Sequence, residues 1–145
     1  MGCRLTAITK MQVTSTNFGR QVLRDSPQRV TQVFTSAAPV SYSMPKDVRK
    51  EDWAPMATLI LRASFEATLR VAAANCASRP NLPGSRKVFV TPLGGGAFGN
   101  DITWIASALD AALQRCKGLG LDVALVQYQE PLDEPLKSLV QKWHG

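Results

Sequence analysis

A glycine-rich loop between a strand and a helix is the feature that most constrains how this chain folds. Residues 87–91 (KVFVT) are apolar and β-branched and predict a buried strand, and residues 102–116 predict a helix. Residues 93–100 (LGGGAFGN) lie between them. Glycine adopts positive φ at no steric cost, and successive main-chain N–H groups in such a loop form an anion-binding nest. The pattern predicts a phosphate site where the helix begins.

Apolar strands alternate with helices along most of the chain. Beyond the loop segment, strands are predicted at 30–36 and 121–128, and helices at 53–77 and 136–143. This alternation predicts an α/β fold, a three-layer α/β/α sandwich around a mostly parallel sheet, with right-handed crossovers. Residues 1–29 form a basic N-terminal segment in which 5–15 predict an edge strand, and residues 30–145 form the α/β domain.

Composition and charge narrow the function classes. The chain has 145 residues, 45% hydrophobic and 19% charged, which is typical of one globular domain. Residues 1–50 carry eight Lys/Arg and two Asp, a net charge of +6, whereas residues 51–145 carry nine of each sign. The cations are scattered and few aromatics accompany them, so a solvated surface is favoured over nucleic-acid binding. No apolar run of about 18 residues occurs, and no transmembrane segment is expected.

The extreme N-terminus and the cysteines bear on location. Residues 1–6 (MGCRLT) match the acylation pattern M-G-x-x-x-[ST], whereas the lack of any acid before Asp25 is typical of an organelle-targeting segment. An ordinary start is the third alternative. Cys3, Cys76 and Cys116 form no CxxC pair, which argues against a disulfide framework or a zinc site. We expect a cytoplasmic protein.

The loop partly satisfies two nucleotide-binding motifs. Gly94, Gly96 and Gly99 give a literal G-x-G-x-x-G, but the acidic residue of the Rossmann pattern would have to be Glu130, which comes too late. No Lys-Ser/Thr follows the last glycine, so the loop is not a P-loop. The alternative is a tight turn whose glycines only permit close packing of strand on helix. Asn100 or Asp101 is predicted as the N-cap of the helix.

The segments around the loop resemble a macrodomain, a fold that binds ADP-ribose. In the family's diphosphate loop, Ser-Thr-Gly is followed by an aliphatic residue, an aromatic and Gly; residues 96–99 match, and Gly94 and Gly95 replace Ser-Thr. Residues 33–40 resemble the preceding strand with its Gly-Pro-Val-type turn, and residues 123–128 resemble the terminal strand. The resemblance implies a macrodomain-like fold over about residues 30–130.

This resemblance implies a ligand and a set of binding residues. The ligand is ADP-ribose or a related nucleotide diphosphate, with no other cofactor and no metal. Phe98 is either a wall against ribose or base or a packing residue, and Tyr128 either stacks on adenine or packs at the sheet edge. An ADP-ribosylated protein is an alternative partner. The implied binding residues are Ala38, Pro39, Val40, Gly94, Gly95, Gly96, Ala97, Phe98, Gly99, Asn100 and Tyr128.

Catalysis is left open by the sequence. Macrodomain hydrolases carry an Asn-Ala-Ala-Asn segment ahead of the strand that 30–36 resembles, and here Asn17 is the one Asn before Val30. The chain is then divergent, shortened or begins inside a longer reading frame. His144 is the single histidine, so a Ser-His or Cys-His pair is not expected. The alternatives to a binding domain are an ADP-ribosyl hydrolase with other catalytic groups, Asp101 among them, a Rossmann-like dinucleotide-binding domain, and an interaction domain that self-associates.

Overall fold

The computed structural model describes residues 6–17, 19–43, 47–127 and 131–144. Its strands and helices alternate from the fourth strand onward, as the sequence predicts. The strands are β1 (Thr6–Gln12), β2 (Ser15–Thr16), β3 (Gln21–Val22), β4 (Arg29–Phe34), β5 (Lys87–Val90) and β6 (Asp122–Leu125). The helices are α1 (Val40–Ser43), α2 (Ala54–Ser78), α3 (Ile102–Arg115) and α4 (Glu134–Trp143), and a 3-10 turn (Lys50–Trp53) precedes α2.

The strands pair as three two-stranded ladders within the described residues. β1 pairs antiparallel with β4, so that Thr6 lies opposite Phe34, and β2 forms a small hairpin with β3. β5 pairs in parallel with β6, with Lys87 opposite Asp122. The mixed α/β character is confirmed. The predicted three-layer sandwich around one mostly parallel sheet is not confirmed, because each ladder contains two strands.

Helices cover one face of the β5–β6 ladder. Val88 and Val90 are buried and belong to one core cluster with residues of α2, α3 and α4. Lys87 and Phe89 alternate with them and are exposed, Phe89 to 68%. Successive side chains of a strand point to opposite faces, so the side of β5 away from the helices is open.

The main core joins the three long helices to β5. Leu61 and Leu69 of α2, Ile105 of α3 and Leu136 of α4 are all fully buried in it. Each such side chain stabilises the fold by about 1.5–3 kcal/mol through burial of apolar surface. A second small cluster of Ala38, Val40 and Ala57 packs the segment after β4 against the first turns of α2. That cluster fixes the position of the segment facing the glycine loop.

The sequence predicted most elements within a few residues. The predicted strand at 87–91 is β5, the predicted helix at 102–116 is α3, and the predicted edge strand at 5–15 is β1, which pairs along one side with β4. The β2–β3 hairpin and the short α1 were not predicted. Among the described residues, no helix is long and apolar enough to cross a membrane.

Candidate functional site

Close packing against a neighbouring loop requires glycine at two positions of the glycine loop (residues 93–100). Gly94 and Gly99 have φ values of +82° and +67°. A Cβ at Gly94 would overlap the Ala37 side chain, and one at Gly99 would overlap the Ser41 hydroxyl. A non-glycine residue at either position would be strained by its backbone; at Gly94 it would also displace Ala37, and at Gly99 it would push the Ser41 side chain aside. Part of the glycine content therefore has a structural cause.

Asn100 joins the glycine loop to the segment after β4. Its side chain is 4% exposed, and its Nδ2 donates to the carbonyls of Ala38 at 2.8 Å and Gly94 at 3.2 Å. The amide of Ser41 donates to the Phe98 carbonyl at 3.0 Å. The two segments that the sequence places at the ends of β4 and β5 are thus in direct contact. Asn100 Oδ1 is buried and has no hydrogen-bond partner among the described residues.

Half of the loop amides predicted to bind an anion are already used inside the loop. The amides of Gly95, Gly99 and Asn100 donate to the carbonyls of Pro92, Gly96 and Gly94, at 3.2, 2.9 and 3.0 Å. The amides of Gly96, Ala97 and Phe98 donate to no backbone carbonyl in the described part of the chain. Gly95, Gly96 and Ala97 are exposed, and open space surrounds the Cβ position of Gly96. Of the six amides at residues 95–100, those of residues 96–98 therefore remain unused by backbone carbonyls.

The N-terminus of α3 is occupied by the chain itself. Asp101 is the N-cap, as predicted, and its Oδ1 accepts from the Thr103 amide at 2.9 Å and the Thr103 hydroxyl at 2.7 Å. These bonds, and then the nearby Lys50, lower the pKa of Asp101 and hold it as a carboxylate. The Asp101 carboxylate therefore lies at the positive end of the α3 dipole, and the contribution of this dipole to ligand binding stays a prediction.

Lys50 is a cation beside the loop that the sequence did not single out. Its Nζ lies 3.5 Å from Asp101 Oδ2 and 5.6 Å from the centre of the Trp104 ring, within the range of a cation–π contact. The side chain is 38% exposed. Lys50 offsets the charge of Asp101 at the start of α3. No sequence pattern relates two residues that stand 51 positions apart.

Two aromatic rings lie next to the exposed part of the loop. Phe98 and Tyr42 meet edge to face, with ring centres 5.8 Å apart and planes at 89°. Phe98 is half-buried, and Tyr42 is 62% exposed. Phe98 packs on the core cluster and is not fully buried, and its role as a wall against a ribose or base stays a prediction. Tyr42 lies directly after the segment that contacts the loop, and the sequence analysis did not name it.

The other predicted binding residues have different positions. Ala38 and Val40 are 2% and 1% exposed, so their side chains pack in the core, on the buried side of the segment that contacts the loop. Pro39 is half-buried between them. Tyr128 lies outside the described residues, and so does Cys3. Among the described residues, no group of three or more His, Cys, Asp or Glu side chains could hold a metal ion.

Neither cavity that we describe includes a residue of the glycine loop. One, of about 650 Å³, is lined mainly by apolar residues of α3, β6 and α4, with Lys117 and His144 among its lining residues. The other, of about 1260 Å³, is formed by β4, β5 and α2. The candidate site at the loop is therefore a surface of main-chain donors and aromatic rings, distinct from both cavities.

Comparison with known proteins gives no independent assignment. No family model, curated protein sequence or solved structure matches this chain. The fold and the site define an α/β protein with a glycine-rich strand-to-helix loop.

Proposed function

We propose that the chain binds ADP-ribose or a related nucleotide diphosphate at the glycine loop. One observation carries this proposal: the amides of Gly96, Ala97 and Phe98 lack backbone acceptors within the described residues, and the loop is exposed at its centre. Adjacent main-chain N–H groups in an exposed glycine-rich turn suit the oxygens of a diphosphate, because each oxygen accepts more than one hydrogen bond.

The side chains around the loop suit the other parts of such a ligand. Phe98 and Tyr42 offer apolar ring surface to a ribose or a base. Lys50 supplies positive charge beside Asp101, which reduces the repulsion between that carboxylate and a diphosphate. The accessible site is smaller than the sequence suggests, since Ala38 and Val40 face the core. In this proposal they fix the position of the loop and do not contact the ligand.

We propose binding and not hydrolysis as the activity. Asp101 is the acid beside the loop that the sequence suggests for positioning a water molecule. Its Oδ1 caps α3 through two hydrogen bonds to Thr103, and its Oδ2 lies next to Lys50. A carboxylate whose pKa is lowered by these partners is a weak base. Asp101 therefore gives no support to ADP-ribosyl hydrolysis.

The proposal also includes the type of fold. We infer a divergent macrodomain-like domain, in which the unit β5, glycine loop, α3 and β6 corresponds to the late strand, diphosphate loop and terminal strand of that family. The parallel pairing of β5 with β6 and the contact between the loop and the segment after β4 support this inference. A three-layer sandwich would require further strands and a covered outer face of β5.

Calorimetry with ADP-ribose, ADP and NAD tests the proposal. We expect ADP-ribose to bind with a Kd below about 1 mM, and Gly96→Glu to weaken binding about tenfold through repulsion of the diphosphate. Gly96→Gln has the same size without the charge and should weaken binding less. Both side chains fit, since open space surrounds this position. Equal affinity of the wild type and Gly96→Glu, or no binding of any of the three nucleotides at millimolar concentration, would refute the proposal.

A further inference from the structure

β4 and β5 lie beside one open cleft, which no residue of the glycine loop lines. β4 pairs with β1 along one edge and β5 pairs with β6 along one edge, but β4 and β5 do not pair with each other. A cleft of about 1260 Å³ lies between them, with residues of α2 such as Thr68, Val71 and Ala72 in its lining. That volume exceeds the roughly 300–1,000 Å³ of small-molecule sites, which favours a longer occupant.

The free edge of β5 carries unused main-chain groups. The carbonyls of Arg86 and Val90 accept from the amides of Asp122 and Val126, at 2.9 and 2.8 Å, so these residues point towards β6. Main-chain groups of a strand alternate between its two edges, and the N–H and C=O of Phe89 therefore face the cleft. An occupant that satisfies Phe89 must supply both an acceptor and a donor.

The cleft is positively charged. Lys10, Arg29, Arg79 and Lys87 line it, and no Asp or Glu of the described residues does. None of these four cations takes part in an ion pair within the described part of the chain. Lys10 and Arg29 belong to the basic first third of the sequence, so part of the positive charge of that segment lies at the cleft.

One side of the cleft is already held in place. The Thr31 hydroxyl of β4 and the Arg79 guanidinium both donate to Asn75 Oδ1 of α2, at 3.3 and 2.9 Å. These bonds fix β4 and Arg79 over the same helix. They therefore hold the middle of β4 in place beside the cleft.

We propose that this cleft binds an extended acidic peptide segment of a partner protein by strand addition between β4 and β5. A polypeptide supplies alternating donors and acceptors to both free edges, in the manner of β-augmentation. Its acidic side chains pair with the four cations, and its apolar side chains pack on Val71 and Ala72. A nucleic acid would also be attracted by the charge, but its phosphates offer no donor to the Phe89 carbonyl.

Fluorescence anisotropy with a defined peptide tests this proposal. The probe is a fluorescein-labelled peptide of about nine residues, in which valine and threonine alternate and two aspartates stand at each end. We expect it to bind with a Kd below about 1 mM, and the same peptide with lysines in place of the aspartates to bind at least about tenfold more weakly.

Two matched pairs of variants locate the binding. Phe89→Pro removes the N–H at the free edge and should weaken binding about three- to tenfold, whereas Phe89→Ala keeps that N–H and should weaken it less. Lys87→Glu should weaken binding about tenfold, whereas Arg62→Glu makes the same charge change on an exposed part of α2 outside the cleft and should have a small effect. Circular dichroism checks that each variant is folded.

Three results would overturn the proposal. The first is equal binding of the aspartate-flanked and lysine-flanked peptides, or equal effects of the two members of each variant pair. The second is binding of an oligothymidylate of about twelve nucleotides without binding of the peptide, which would make the cleft a nucleic-acid site. The third is a dimer in sedimentation velocity that Lys87→Glu dissociates while the peptide does not bind, which would make the occupant a second copy.

Discussion

Some glycines of the glycine loop are required by its packing, and another is available for the proposed binding. Gly94 and Gly99 are required because the loop approaches Ala37 and Ser41 too closely for a side chain. The structure does not require glycine at position 96, because the φ of Gly96 is not in the left-handed region and open space surrounds its Cβ position. The sequence does not distinguish these glycines, because the difference depends on a segment more than 50 residues earlier in the chain.

Alanine substitutions should separate these two kinds of glycine. Gly94→Ala should lower the free energy of unfolding by about 2–4 kcal/mol, from backbone strain at positive φ together with overlap with Ala37. Gly96→Ala is the matched control and should change it by no more than about 0.5 kcal/mol. Urea unfolding followed by circular dichroism measures both. Similar losses for the two variants would contradict the packing described for Gly94.

At the scale of elements, local sequence patterns predicted where the strands and helices lie along the chain, but not which strands pair. The apolar run at 87–91 and the helix-forming residues at 53–77 predicted β5 and α2 to within one residue at each end. Strand pairing depends on distant residues, and neither the antiparallel β1–β4 ladder nor the unpaired edges at the cleft could be predicted from periodicity. Lys50 and Tyr42 were missed at the site for the same reason.

One carboxylate of α3 contacts two side chains of α4, in addition to the apolar packing of that helix. Asp110 accepts from Lys142 Nζ at 2.7 Å and from the Trp143 indole at 2.8 Å. Lys142 is the largest cause that lowers the pKa of Asp110, and Trp143 contributes as well. A lowered pKa in the folded state means that this stabilisation is complete above the unfolded value of about 3.9 and is lost as the pH falls through the folded value.

Asp110→Asn should therefore have a pH-dependent effect on stability. At pH 7 we expect a loss of about 1 kcal/mol, kept small because the pair is partly exposed, and near pH 3, below the unfolded value, the difference from wild type should be smaller. Asp25→Asn is a control, since Asp25 is exposed, lies outside the helices and forms no ion pair with the described residues. Urea unfolding at the two pH values measures this. A loss that is the same at both would show that Asp110 acts through packing alone.

At the scale of the whole molecule, three features are exposed: the outer face of β5, the cleft beside it and the centre of the glycine loop. The outer face of β5 is exposed at Phe89, and the cleft beside it is basic and open. The glycine loop follows the C-terminal end of β5 and is held by Asn100. Composition predicted a globular chain with a basic first third, and the alternation of strands and helices predicted its α/β class, but only the fold assigns Lys10 and Arg29 to a particular surface.

A ¹H–¹⁵N NMR titration with ADP-ribose tests the central claim most directly, because it observes each loop amide separately. We predict saturable shifts of the Gly96, Ala97 and Phe98 amides as ADP-ribose increases to about 1 mM. The amides of Gly95, Gly99 and Asn100 should shift less, since they donate within the loop. Binding that shifts other regions and leaves residues 96–98 unchanged, or no shift at all at that concentration, would contradict the account.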